Sequence, residues 1–282
     1  MAEIVGVFAA PHTPLLWRAL ESEIPDDLQA VEQNLSLLRE QIVARRPDTV
    51  VVVSSDHLRQ YVIGTIPAFV IGRGPAMTGT HPDEERAFGL PRRTVEGDPE
   101  LASSLLGPHQ LPAAFDFAFS DEMWLDHGFM VPLLYLVPEL DVPIVPIHTN
   151  TMSLPIPGAA RFAELGTYLR DAIGAAPTDK RVAVVVSGHL ATEIGGPKQF
   201  TGGSPDPEFD AEAVAVLASG RIDRAVEIGT FQGLVAAGNM SHQYLNLVTG
   251  AAVAGGRAAT FAEGTVCRFG TLPFFSWFEG SS

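Results

Sequence analysis

One cysteine, Cys267, stands among 282 residues, so no disulfide can form within the chain and no thiolate cluster can hold a metal. That makes a reducing compartment the default and a cytoplasmic protein the expectation. Basic residues are scarce: 18 Lys and Arg against 33 Asp and Glu give a formal charge of −15. This balance repels phosphate backbones and anionic lipid, so no nucleic acid and no membrane surface is expected as a partner, and the ligand should be small. Long apolar runs are also missing. The stretch Ile4 to Ala10 has no basic segment before it, and nothing later approaches the 18 uninterrupted apolar residues of a membrane span. Internal repeats and low-complexity tracts are absent, and the 27 Gly and 22 Pro are spread along the whole chain, so none marks a linker.

What is present is a chain with 46% hydrophobic residues, long enough to bury a substantial core in one domain. Ile4 to Ala10 reads as a buried strand stopped by Pro11. From Asp27 to Arg46, Leu28, Val31, Leu35, Leu38 and Ile42 recur at spacings of three and four, one apolar stripe of a helix that Pro47 ends. Thr49 to Val53, Val142 to Ile147 and Val182 to Val186 read as further strands, each running into a polar tip. Strands alternating with helices predict an α/β fold: a single domain over residues 1–282 with a central, mostly parallel or mixed sheet flanked by helices. The segment Gly72 to Asp98, rich in Gly, Pro and charge, reads as a long loop or lid. Gly202 to Asp210 reads as a loop before a helix from Asp210 to Ala218.

The chemistry lies in the eight histidines. His12, His57, His148 and His189 sit at or near the carboxyl ends of predicted strands, where ligands bind in such sheets. Two neutral imidazoles plus a third ligand, with open positions left over, make a non-haem iron(II) site. A lone histidine after a strand is more often a hydrogen-bonded structural residue, and that reading stands beside the metal one. Asp56 is either an acceptor that orients the His57 ring or a helix cap. His81 and His109 lie in polar, Pro-rich surroundings and read as solvated.

Several segments, in order, carry a resemblance. His12 follows the first strand; Arg46-Pro47-Asp48 leads through a valine strand to Asp56-His57; Ile66-Pro67-Ala68-Phe69 follows. Then come Leu125-Asp126-His127-Gly128 with Val131-Pro132-Leu133, Ile144-Val145-Pro146-Ile147 with Asn150, Leu154-Pro155-Ile156-Pro157, and Ala237-Gly238-Asn239 before a helix. Over most of its length the chain resembles the class III extradiol ring-cleaving dioxygenases, the superfamily of the protocatechuate 4,5-dioxygenase beta chain. The resemblance implies that His12 and His57 hold iron(II), with manganese(II) as the alternative metal, and that His127 acts on the ring hydroxyls of a small aromatic substrate that reacts with O2. It places His148 and Asn150 near the floor of the site.

Two positions depart from the family's pattern. The glutamate ligand expected after Ala-Gly-Asn is replaced by Gln243, with His242 beside it as the alternative third ligand; adjacent helical residues point about 100° apart, so both cannot face one metal undistorted. The base histidine expected after a Gly-Gly-x-Ser stretch is replaced by Thr192, with His189 three residues earlier and Glu193 next to it. A neutral third ligand raises the site's charge by one unit, which points to a more anionic catechol, an aminophenol or a hydroxypyridine. Arg59, Arg73, Arg92 and Lys198 are the cations available to a substrate carboxylate. Two competing readings are a non-catalytic or regulatory subunit of the same fold and a metal-dependent hydrolase or lyase. The expected assembly is a homodimer or a hetero-oligomer with a related subunit.

Overall fold

The computed structural model describes residues 1–21, 23–107, 115–199 and 202–278. The chain runs β1 (Glu3–Ala10), α1 (Leu15–Leu20), α2 (Gln29–Arg45), β2 (Thr49–Ser55), β3 (Phe69–Gly72), β4 (Ala76–Gly79), α3 (Pro82–Phe88), β5 (Arg93–Glu96) and α4 (Pro99–Leu105). It continues β6 (Ala118–Ser120), β7 (Trp124–Leu125), α5 (His127–Leu136), β8 (Ile144–Thr149), α6 (Ala159–Ala175) and β9 (Arg181–Ser187). The last elements are α7 (Pro207–Ser219), α8 (Ile222–Ile228), α9 (Phe231–Ala237), α10 (Tyr244–Val253), β10 (Phe261–Cys267) and β11 (Gly270–Trp277).

Eight strands form one mixed sheet in the order β10-β11-β1-β9-β2-β8-β3-β6, and β5-β4-β7 form a smaller one. The middle four, β1, β9, β2 and β8, are mutually parallel; β11 and β3 flank them antiparallel. Strands covered on both faces read as unbroken apolar runs, and their residues divide by the period of two. Val51, Val53, Val184 and Val186 pack in the core that holds α6 and α10, whereas Val50, Val52, Ala183 and Val185 pack in the core that holds α2 and α5. The predicted stripe of α2 is buried in full. The helix stops because Arg46 turns left-handed at φ 46°, just before Pro47.

Four expectations need correction. The α2 region opens with a short 3-10 turn at Asp26–Leu28, so the helix begins at Gln29. Strand β8 begins at Ile144, two residues later than expected; Pro143 before it contributes only its carbonyl, which accepts the Val50 N–H at 3.0 Å. Helix α7 begins at Pro207, because Asp206 accepts the Phe209 N–H as its cap and proline suits a first helical position. Gly72 to Asp98 is no open loop: it builds the small sheet and α3, with Met77, Leu90 and Val95 buried against the α2 and α5 side.

The carboxyl ends of the parallel strands are tied to α10 by one side chain. Asn246, fully buried, donates to Ser55 Oγ (3.1 Å) and to the Ser187 carbonyl (2.9 Å), and accepts from Thr149 Oγ1 (2.7 Å). These contacts join β2, β9 and β8 to one turn of helix. Removing the amide takes one hydrogen bond from each of three buried groups, of which Ser55 Oγ keeps Thr151 and Thr149 Oγ1 keeps the Ser54 carbonyl; a buried polar group left without a partner costs about 1–3 kcal/mol. Asn246→Ala should therefore lower the unfolding free energy by about 1–3 kcal/mol in a urea titration; a loss under about 0.5 kcal/mol would contradict the tie.

Candidate active site

Because β1, β9 and β2 lie side by side and run the same way, residues just past their ends meet at one edge. His12, His189 and His57 each stand two residues beyond their strand. The first residue of α5, His127, joins them. The His12 ring centre is 4.9 Å from that of His57, 5.7 Å from His127 and 4.2 Å from His189, and His57 is 4.0 Å from His127. His12, His57 and His127 each offer one ring nitrogen, and these lie within 4.8 Å of one another.

Two glycines allow this convergence. A Cβ on Gly128 would lie 2.6 Å from Ser54 Oγ and 2.9 Å from His57 Cε1, so only glycine lets the first turn of α5 press against the His57 loop. A Cβ on Gly188 would lie 2.6 Å from the Gln243 carbonyl, so glycine there lets the start of α10 sit over the end of β9.

Each ring is fixed from behind. His12 Nδ1 shares a 2.7 Å hydrogen bond with Ser187 Oγ. The Asp126 carboxylate accepts the His57 backbone N–H (2.6 Å) and lies 3.1 Å from His57 Nδ1, while its other oxygen caps α5 through the Gly128 N–H. Asp56, the residue beside His57, is spent on the backbone N–H groups of Arg59, Gln60 and Tyr61 and serves as a turn cap. His127 Nδ1 lies 2.7 Å from Glu84 Oε1, and its backbone N–H donates to Glu84 Oε2 at 2.7 Å. Glu84 and Asp126 are both fully buried.

Gln243, the last residue of the 3-10 turn Ser241–Gln243, donates from Nε2 to His57 Nε2 at 2.8 Å. The other candidate, His242, packs against Phe231 with ring centres 4.8 Å apart and the planes tilted by 40°, on the α9 side. Asn246 fixes the register of α10, and the turn before it then presents Gln243 and carries His242 away. His148 stacks on Phe129 at 4.7 Å with Tyr61 edge-on at 5.9 Å, one strand over from the cluster. Asn150 uses both ends of its amide within its own turn, donating to the Ser153 and Pro155 carbonyls and accepting from the Met152 and Ser153 N–H groups. Thr192 Oγ1 donates to the Leu190 carbonyl. Neither needs a substrate to be satisfied.

The expected substrate cations are engaged elsewhere: Arg59 with Glu84 and Asp83, Arg73 with Asp121, Arg92 with Glu85, and Lys198 with the Pro205 carbonyl. His81 is not a solvated residue; it caps α3 by accepting the Asp83 N–H and packs edge-on against Trp124. His109 lies outside the described residues.

Electrostatics keep most of the cluster uncharged. Burial, then the neighbouring rings, pushes His12 well below the ordinary imidazole value and His189 down to about 3. His127 is lowered by burial and by His57, against the pull of Glu84. For His57 burial also opposes protonation, but Asp126 outweighs it and raises the value. Burial would raise the Asp126 carboxyl; the His57 ring overcomes this and holds it well below the usual carboxylate range. Neutral imidazole is the metal-binding form. His12 Nε2 and Gln243 Oε1 are buried with no protein partner among the described residues. Orphaned buried acceptors beside carboxylate-oriented imidazoles are what a divalent cation would satisfy, so the residues fit a metal.

Sequence reasoning missed Glu84, Asp126 as the partner of His57, Ser187 and Asn246. Asp83-Glu84-Glu85 reads as a solvated acidic turn, and only the fold shows its middle member buried.

A group with a lowered imidazole pKa leaves the unfolded chain binding more protons below about pH 6.5, so stability falls as the pH drops. His12, His127, His148, His189 and His242 all run in this direction, and His57 runs against it. The urea midpoint of metal-free protein should fall between pH 7.5 and 5.5, and His189→Gln should flatten the dependence. An unchanged slope in that variant would refute the neutral, buried state of His189.

The family described as the catalytic LigB subunit of aromatic ring-opening dioxygenase matches residues 6–263. A 2,3-dihydroxyphenylpropionate/2,3-dihydroxicinnamic acid 1,2-dioxygenase of Pseudomonas putida is 32% identical over 183 residues, 64% of this chain and 54% of that protein. A Photorhabdus laumondii protein of the same name is 28% identical over 75% of this chain and 62% of its own length. A Pseudomonas putida gallate dioxygenase is 36% identical over 40% of this chain and 33% of its length. The matched region thus spans from a third to three fifths of these relatives. Among solved structures, an uncharacterized protein of Escherichia coli K12 superimposes with a TM-score of 0.63 at 18% identity, over 97% of this chain and 99% of that one, which shows the fold.

Proposed function

The chain belongs to the LigB family of catalytic subunits of aromatic ring-opening dioxygenases, and from that premise we propose that it is an extradiol dioxygenase. The observation that carries this reading is the meeting of His12, His57, His127, His189 and Gln243 at the carboxyl edge of the parallel strands. The relatives named above are ring-cleaving dioxygenases, which are oxidoreductases. The substrate class is a catechol, an aminophenol or a hydroxypyridine. O2 adds both its atoms while the ring C–C bond beside the two oxygen-bearing carbons breaks.

His12 and His57 would hold the metal, and Gln243 would offer its amide oxygen as the third ligand. Iron(II), with manganese(II) as the alternative, supplies the redox chemistry that lets a closed-shell aromatic react with O2. Ser187 and Asp126 hold the His12 and His57 rings from their Nδ1 side, so that Nε2 of each faces the centre; that of His12 has no partner among the described residues, and that of His57 accepts from the Gln243 amide. His127 takes a hydroxyl proton from the substrate at Nε2. His189, held neutral by burial and by the neighbouring rings, gains basicity when an anionic substrate lies beside it and serves as the second proton-handling group. Asn150 and Thr192 shape the loops around the site.

Residues 1–282 act as one catalytic domain in this reading, in the cytoplasm, as a homodimer or beside a related subunit. No helix among the described residues is long and apolar enough to cross a membrane. The neutral Gln243 favours one competitor, a non-catalytic subunit of the same fold. Metal binding without oxygen uptake on any diol would instead indicate a hydrolase or lyase.

His57→Ala should abolish metal binding, measured by elemental analysis, while circular dichroism stays unchanged; full occupancy would sink the assignment. His127→Ala should keep its metal and lose about 10² to 10⁴ in turnover, and wild-type turnover would refute its role. Gln243→Glu should tighten the metal and His242→Ala should change little. If His242→Ala empties the site instead, or if His127→Ala does, the centre is held by three histidines.

A further inference from the structure

Glu84 is the one residue of its acidic turn that is buried. The side chains of Asp83 and Glu85 remain about half exposed, whereas that of Glu84 has no exposed surface. A carboxylate taken fully out of water is costly unless its oxygens are satisfied. Here both are, and chiefly by one residue. Oε2 accepts the His127 backbone N–H at 2.7 Å, Oε1 lies 2.7 Å from His127 Nδ1, and Arg59 Nε donates to Oε1 at 3.3 Å.

The backbone N–H and the guanidinium can only donate, so both Glu84 oxygens act as acceptors, and the ring contact is satisfied only if Nδ1 carries the proton. In a neutral imidazole that leaves Nε2 with the lone pair. The clamp is also rigid. The His127 N–H is one of the orphan donors in the first turn of α5, so Glu84 is docked to a helix end and cannot shift without uncapping it. The neighbouring ring repeats the design: Asp126 accepts the His57 N–H and contacts His57 Nδ1. Two adjacent rings, 4.0 Å apart, are thus each held by a buried carboxylate through backbone and ring together.

We propose that Glu84 is a positioning residue for His127: by accepting its backbone N–H and Nδ1–H it fixes the ring tautomer in which Nε2 is the proton acceptor facing the histidine cluster. Arg59 completes the clamp from the solvent side and offsets the buried negative charge. Capping alone would not require the ring contact, since any acceptor would satisfy the backbone N–H. The inference rests on the reading of His127 as the group that takes the substrate's hydroxyl proton. It adds that the small sheet and α3 exist in part to deliver one carboxylate behind that group.

The test is a long-range ¹H–¹⁵N spectrum of metal-free protein labelled at histidine nitrogen, at pH 7.5, with the His127 signals assigned by their loss in His127→Ala. The expected result is His127 protonated at Nδ1 only. Glu84→Gln, which can offer its single oxygen to the backbone and its NH2 to the ring, should bring up the Nε2–H form. With 2,3-dihydroxyphenylpropionate as the probe substrate, the iron-loaded Glu84→Gln protein should lose about 10- to 100-fold in kcat with metal content unchanged and KM moved far less. A wild-type His127 protonated at Nε2 overturns the inference even if Glu84→Gln fails to fold, and so does a folded Glu84→Gln protein with unchanged tautomer and kcat. Wild-type turnover in His127→Ala would instead overturn the proton-acceptor reading beneath it, so the two failures are distinguishable.

Discussion

The constraint on which the rest depends is the common level at which β1, β9, β2 and β8 end, held there by one buried amide. Parallel strands of a sheet carry no requirement to stop together. Here Asn246 reads three of the four ends at once, through the Ser55 hydroxyl, the Ser187 carbonyl and the Thr149 hydroxyl. Two of these partners are hydroxyls, at the last positions of β2 and β8, and the third is a backbone carbonyl at the end of β9. Because Asn246 belongs to α10, the same contacts set the register of the turn before it, and the register decides that Gln243 meets His57 while His242 packs against Phe231.

Upon this frame the site is built as a neutral centre with charge kept behind it. The rings that meet are mostly uncharged, because burial and mutual repulsion both oppose protonation. The carboxylates stand one layer back, Asp126 behind His57 and Glu84 behind His127, where they orient the rings without entering the ligand set. A family pattern with a carboxylate ligand would place one negative charge at the centre. In the proposed ligand set Gln243 would leave that charge out, and an anionic substrate would then have more to gain by binding. Of the arginines singled out from the sequence, Arg73 and Arg92 are paired with Asp121 and Glu85, and Arg59 reaches the centre only from behind, through Glu84.

Much of the fold was legible because apolar spacing and proline stops are local signals. The α2 stripe, the valine strands and the polar tips of β2, β8 and β9 follow from periods of 3.6 and two, and the mixed α/β architecture follows from their alternation. The segment from Gly72 to Asp98 misled because short strands such as β4 and β5 have four residues each, too few to show a period, among turn formers. Of the histidines that meet at the sheet edge, His12, His57 and His189 stand out in the chain by following apolar strands, as does His148, which packs on Phe129 instead, and His127 stands out only through the family resemblance. Glu84, Ser187 and Asn246 were hidden. A carboxylate, a hydroxyl and an amide are ordinary surface residues by composition, and only burial, a property of contacts distant in sequence, gives them meaning. His81 was misread for the same reason, its neighbour Trp124 being 43 residues away in the chain.

The account turns on the histidine cluster being a centre for one metal ion. Elemental analysis of protein purified without oxygen or chelators tests this before any substrate is chosen. The account predicts close to one iron, or one manganese, per chain. Protein that carries no transition metal, and takes up none when iron(II) is added anaerobically, would contradict it.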